Sequence, residues 1–355
     1  MVLAVRLVTG ARKVFPHFIP IAFSQAVGAP RSKPHIRNML FLYDNVFETI
    51  EPSLDLYKIS QALVLGNSAV ITSSGILISY RLGPYCHSAD VASAFGSALT
   101  LIANNVFDVR LINLNRYSEP TFFMRDIGEA GFFHFLNVIF PTALYWKDHF
   151  NRISPFVSIT SKFQNDYLEY AGVLSAPPLL AKGGTSFFDE LYIMSGWVRP
   201  SSYSGGFFER PAEVSRSLRK FSRQFGVGER KRVYISRGDS DIRSIGNENN
   251  LGNKLSQKFG FHPIQLSTLS VSDQIEIFRG ADIVAGLHGA GLANVPYMKE
   301  GASVIEIFPS SRIWPTFRAL SMRSGLKYHA VVLDSATEID LPKTIDAVQR
   351  CIEQA

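Results

Sequence analysis

Cysteine is nearly missing from this chain: Cys86 and Cys351 are the only two in 355 residues. They stand far apart, so no disulfide scaffold is implied and no zinc site can be assembled from cysteine. Long apolar runs are missing too. The N-terminal stretch from Phe15 to Phe23 is broken by Pro16, His17 and Pro20. It is too short and interrupted for a membrane-spanning helix and lacks a signal-peptide core. Charge is sparse, with 19% charged residues and a net charge of +6. That balance does not by itself argue for nucleic acid, but it suits anionic ligands or an anionic membrane surface. No internal repeat or low-complexity tract is present.

What is present is core material: 46% hydrophobic residues, including 27 Phe. At this length two domains are expected. Residues 1–40, with Pro16, Pro20, Pro30 and Pro34 among basic residues, read as an irregular lead-in. From 62 to 80, apolar runs divided by Gly66-Asn67-Ser68 and Ser73-Ser74-Gly75 predict an antiparallel meander, a subsidiary sheet. Residues 129–150 read as a buried helix kinked at Pro141. A Ser-, Gly- and Pro-rich stretch at 195–212 marks a linker between a domain over 41–210 and one over 211–335, with a C-terminal helix over 336–355. Strand and helix alternate through the second half, the signature of a parallel α/β layer.

The most informative stretch is Ile283 to Asn294, IVAGLHGAGLAN. A buried strand breaks there into Gly286, Gly289 and Gly291 around His288. Glycines after a strand let the backbone turn tightly with its N–H groups exposed, and a helix beginning after Gly289 would aim its positive end at a phosphate. The spacing is neither the G-x-G-x-x-G dinucleotide fingerprint nor a Walker loop. The plainer alternative is a tight strand–helix connection with a core histidine.

A second loop, Ser236 to Glu248, follows the strand Val233-Tyr234-Ile235. Its Arg237 and Arg243 can clamp a pyrophosphate through charge-assisted bonds; the alternative is a solvated basic loop. In a doubly wound sheet both loops emerge at the carboxyl ends of the strands, where ligands bind. The loop also contains Asp239-Ser240-Asp241, a weak divalent-metal signal. His134, in Phe132-Phe133-His134-Phe135, is either a satisfied core residue or a general base, with Asp126 and Glu129 as orienting or alternative acids. Glu306, in the strand after the glycine-rich turn, suits ribose hydroxyls or is a surface carboxylate.

With these motifs the chain resembles glycosyltransferase family 61. The features that carry the resemblance are Ala285 to Asn294, Ile235-Ser236-Arg237 with Arg243 and Asn247-Glu248, Phe133-His134-Phe135-Leu136, and Phe163-Gln164…Tyr167-Leu168…Gly172. The resemblance implies an α/β, GT-B-like architecture, two Rossmann-like domains facing a cleft with the small meander near the N-terminus. It implies an inverting transfer, metal-independent and without a cofactor, from a nucleotide-diphosphate donor, a UDP-sugar, to a glycan or lipid-linked glycan in polysaccharide biosynthesis. No nucleic-acid partner is implied. Carried over, Arg237 and Arg243 face the diphosphate, with Asn247 and Glu248 in the same donor-binding loop. His288, Gly289, Ala290 and Gly291 surround the donor, Asn294 braces the loop and Glu306 lies near the nucleoside.

Two features depart from the family pattern. Members carry an acid three residues after the helix histidine, where this chain has Asn137. A secretory anchor is missing, which fits a cytoplasmic enzyme touching the inner face of the cytoplasmic membrane. The competing readings are a non-catalytic nucleotide- or carbohydrate-binding module and a transferase that uses a metal held by Asp239 and Asp241.

Overall fold

The computed structural model describes residues 2–7, 55–66, 69–71, 76–78, 99–103, 106–110, 113–125, 128–176, 178–182, 184–195, 198–199, 207–208, 211–238, 245–310, 313 and 316–355. The described residues divide after Arg210 into two compact units.

The first unit is built on an eleven-stranded sheet. Its strands are β1 (Val2–Leu7), β2 (Asp55–Leu65), β3 (Ala69–Ile71), β4 (Ile76–Ile78), β5 (Leu99–Ala103), β6 (Val106–Arg110), β7 (Asn115–Tyr117), β8 (Thr121–Phe123), β9 (Ser154–Val157), β10 (Leu179–Leu180) and β11 (Thr185–Ser195). β2, β3 and β4 pair antiparallel, the meander expected from the two turns. It is not a subsidiary sheet, because β2 also pairs along its length with β11. β8, β9 and β10 then continue parallel to β11. This sheet is mixed, so a Rossmann-like pattern is confined, among the described residues, to the second unit. The lead-in expected over 1–40 is corrected at its start: Val2–Leu7, rich in Val and Leu, forms β1 between β4 and β6. Its remainder, and Cys86, lie outside the described residues.

The helical stretch expected over 129–150 has an unexpected interior. α1 (Phe132–His134) passes through a π-helical turn, Phe135–Ile139, into α2 (Phe140–His149). A proline pushes its ring at the carbonyl four residues back. Widening the turn, so that the Phe140 N–H donates to the Phe135 carbonyl, accommodates Pro141. α3 (Lys162–Tyr170) is held at its start by Gln164, whose Oε1 accepts from the Ser161 N–H at 3.1 Å, and stops before Gly172, whose φ is +71°. The fully buried Tyr167 packs against the rings of Phe132, Phe135 and Phe140. The Ser-, Gly- and Pro-rich segment carries a short ladder of β12 (Val198–Arg199) and β13 (Phe207–Phe208).

The second unit holds α4 (Pro211–Ser222), β14 (Arg232–Ile235), α5 (Glu248–Phe259), β15 (His262–Ile264), α6 (Val271–Gly280), β16 (Ile283–Leu287), β17 (Ser303–Phe308), α7 (Thr316–Arg323), β18 (Lys327–Val332) and α8 (Leu341–Glu353). Its sheet is parallel throughout, in the order β15-β14-β16-β17-β18. The strand order reverses between β14 and β16, which is where an open α/β sheet leaves a crevice for ligand. Tyr234, Ala285, Leu287, Ile305 and Ile307 line one face, covered by Leu251 and Leu255 of α5 and by Ile345 and Val348 of α8. No helix among the described residues is long and apolar enough to cross a membrane.

Helix α6 aims β16 at the crevice, and its start is held by Ser270, whose Oγ accepts from the Asp273 N–H at 3.1 Å. Ser270→Ala removes that cap. The expected result is about 1 kcal/mol less stability, read as a lower urea midpoint with an unchanged slope.

Candidate functional site

The pairing of β14 with β16 sets Ile235 beside Gly286. The register therefore carries Arg237 alongside His288, just beyond the close of each strand. There the two turns are joined: Arg237 Nη1 donates to the His288 carbonyl at 2.7 Å. Gly289 is extended, with φ 178°, so its need for glycine is steric rather than conformational. A Cβ there would lie 2.2 Å from Arg237 Nη1. The guanidinium thus rests on the backbone of the glycine-rich turn, space that a side chain would take away.

Helix α5 fixes the other end of Arg237. Glu248, buried in the first turn of α5, accepts from the Arg237 N–H at 2.7 Å and from the Tyr234 hydroxyl at 3.3 Å. Burial and the neighbouring carboxylate hold the Tyr234 hydroxyl well above its usual range. Glu248 is therefore occupied inside the unit. Asn247 adopts φ +65° and donates to Glu338 at 3.2 Å. Arg243, Asp239 and Asp241 lie outside the described residues. Among those described, no three His, Cys, Asp or Glu side chains gather as a metal site.

After the turn a helix begins at Ala290, as expected from sequence, and residues Ala290–Tyr297 wind as a 3-10 helix. Among the described residues, no backbone carbonyl accepts from the amides of Gly289, Ala290 or Gly291. Ala290 is exposed. Asn294, fully buried, donates to the Gly291 carbonyl at 3.3 Å and to Gln274 at 3.4 Å. A Cβ on Gly291 would lie 2.8 Å from Leu266 and 3.0 Å from Ile235.

Glu306 sits where sequence does not place it. β17 is buried from end to end, and Glu306 is completely enclosed within it. Both its oxygens are taken, Oε1 by His288 Nδ1 at 2.5 Å and Oε2 by the Tyr328 hydroxyl at 2.6 Å. The expectation of a carboxylate turned to ribose hydroxyls is corrected accordingly. A fully buried acid needs partners within the fold, and this one has found two. Burial raises its pKa, against a lowering from His288 and Tyr328. Register explains the meeting. Glu306 pairs with Gly286 on one side and Ala330 on the other, and these small residues let His288 and Tyr328 lean in from two positions away. The His288 ring stacks on Phe308 at 5.3 Å and meets Phe317 at 5.4 Å. Tyr328 leaves no mark in the sequence, because it stands on a different strand from every motif.

The other candidate residues belong to the first unit. His134 is half-buried and its ring covers Gly128, where a Cβ would lie 2.3 Å from the ring. Glu129 is buried and held by Arg125 through two bonds, of 2.5 and 3.2 Å. Its carbonyl accepts from Gln164 Nε2 at 2.6 Å, which ties this turn to the start of α3. Asp126 lies outside the described residues. Asn137 is fully buried in the π turn. Its Nδ2 donates to the Phe133 carbonyl at 3.2 Å, and its Oδ1 has no hydrogen-bond partner among the described residues.

Comparison with known proteins covers both the π turn and the glycine-rich turn. The family model described as Glycosyltransferase 61 matches residues 132–305. A beta-1,2-xylosyltransferase of Arabidopsis thaliana is 31% identical over 68 residues, which is 19% of this chain and 13% of that protein's length. Across residues 132–305 the chain belongs to the glycosyltransferase 61 family.

Proposed function

We propose that the chain is an inverting glycosyltransferase, taking a sugar from a UDP-sugar or similar nucleotide-diphosphate donor to a glycan hydroxyl in polysaccharide biosynthesis. A two-domain division of labour belongs to this proposal, with the donor held by the Rossmann-like second unit and the acceptor served by the first, whose sheet is mixed. The observation that carries the reading is the contact of Arg237 with the His288–Gly289 turn at the point where strand order reverses. A fixed guanidinium, amides with no backbone acceptor among the described residues and an imidazole meet there. Such a set of donors suits the oxygens of a diphosphate.

In the proposed reaction the acceptor oxygen attacks the anomeric carbon, the bond from that carbon to the phosphate oxygen breaks, and the nucleoside diphosphate departs. The acceptor's proton passes to a base. His134 is the proposed base, because Glu129 has both oxygens engaged by Arg125. Asp126 is the further candidate. Arg237, with Arg243 from the same loop, offsets the charge that develops on the leaving group, so no metal is required.

The enzyme is expected to release UDP from at least one UDP-sugar in the presence of a glycan acceptor and of EDTA, measured by a coupled UDP assay. If no nucleoside diphosphate binds by calorimetry, the reading fails. Asn137, an amide at the family's acid position, favours a second reading as a binding module. UDP binding without transfer to a broad acceptor panel would select that one.

A further inference from the structure

We propose that Glu306 and Tyr328 are positioning residues that hold the His288 ring by Nδ1, with Nε2 turned toward the donor's phosphate groups. The inference rests on the proposed donor site and names the residues that orient its histidine. The geometry is a continuous chain across three strands, from the Tyr328 hydroxyl to Glu306 and from Glu306 to His288 Nδ1. With Nδ1 tied to the carboxyl group, Nε2 is the ring nitrogen left to meet a ligand. Phe308 and Phe317 flank the ring and limit its rotation.

Glu306 has no exposure, and each of its oxygens has one partner, so the carboxyl group cannot turn without giving one of them up. Burial raises its pKa, against a lowering from His288 and Tyr328. Tyr328 holds the second oxygen, and its own hydroxyl is pushed well above its usual range by burial and by Glu306, against Arg318. Arg237 touches His288 through the backbone carbonyl, so the guanidinium and the ring belong to one turn.

The experiment compares wild type, Glu306→Gln and Tyr328→Phe in two readouts. In the first, calorimetry with UDP across neutral pH is expected to give roughly three- to tenfold weaker binding for each variant. In the second, two-bond nitrogen–proton correlations on 15N-histidine protein report the two ring nitrogens of His288, with His288→Gln to assign the signals. Both variants should move the His288 ring-nitrogen signals of the folded protein, Glu306→Gln more than Tyr328→Phe.

A purely structural role would lower stability in both variants without moving the His288 ring signals, and that result would overturn the proposal. If wild type binds no UDP, the donor-site reading fails, yet the His288 ring signals of the free protein and its variants still decide the positioning role. Should Glu306→Gln not fold, Tyr328→Phe carries the same two readouts.

Discussion

Gly280→Ala is expected to destabilise the second unit by about 3 kcal/mol or more, a large effect for one added methyl group. A Cβ at this position would lie 1.8 Å from the Gly228 carbonyl oxygen and 2.6 Å from its carbon. Those atoms are backbone, so no side chain can turn away to relieve the overlap. The turn that contains Gly228 is also pinned from several directions. Its N–H donates to the Glu276 carbonyl at 2.8 Å, and Arg279 donates to the carbonyls of Phe225 and Gly226. Retreat of the turn would break those bonds along with the contact between the start of β14 and the end of α6.

Gly260→Ala is the matched control. Gly260 has φ +71°, and nothing lies within 4 Å of the place a Cβ would take, so only backbone strain of about 1 kcal/mol is expected. Urea denaturation followed by circular dichroism compares the two variants. Equal midpoints would refute the close packing of Gly228 on Gly280. Both glycines sit away from the turns that follow β14 and β16, so UDP affinity measured on the folded protein should be unchanged in each.

How far the sequence reveals the fold depends on whether the deciding contacts are local. α5 is legible at both ends, because Glu248 opens it and Gly260 closes it in the left-handed region. Four strands of the parallel sheet, β14 to β17, are legible from their own short apolar runs. β18 is not: it contains Ala330-Val331-Val332, but most of its residues are partly or fully exposed and no turn signal or motif adjoins the run. β11 is also obscure: only Leu191-Tyr192-Ile193 stands out in an eleven-residue strand. Its Glu190 reads as a break until Lys58 on β2 is seen to pair with it at 2.7 Å. The turn after Gly289 announces a helix, but not that Ala290–Tyr297, with Pro296 inside, winds as a 3-10 helix.

The site divides along the same line. Arg237 and His288 are visible because each follows a strand with glycine close by. Glu306 is visible as an acid but not as an enclosed one. The pattern Val-Ile-Glu-Ile-Phe is the same whether the carboxylate meets solvent or His288 and Tyr328, and only the register of three strands decides. Asn137 announces itself as an amide where an acid is usual. Its burial inside a π turn follows from Pro141, four residues on, which sequence reading takes as a kink alone.

Arg237→Ala is expected to weaken UDP binding by roughly 10- to 100-fold, the effect of removing a charged donor whose partner is an anion. Arg237→Lys should recover only part of that loss. A single ammonium on a flexible stem cannot reach the His288 carbonyl and a phosphate together, as a planar guanidinium can. Gly289→Ala tests the same contact from its other side, since the new Cβ would lie 2.2 Å from Arg237 Nη1 and push the guanidinium off the turn. If Arg237 works by resting on that turn, the two substitutions act on one interaction, and the double variant should bind UDP no more weakly than Arg237→Ala alone. Calorimetry on the four proteins closes the cycle. Free energies that simply add would mean that the arginine and the glycine-rich turn serve the nucleotide independently, and the joined-turn site would have to be abandoned. Loss of the guanidinium's bond to the His288 carbonyl could act through folding as well as binding, so non-additivity alongside an unshifted urea midpoint for Arg237→Ala would locate the loss in binding.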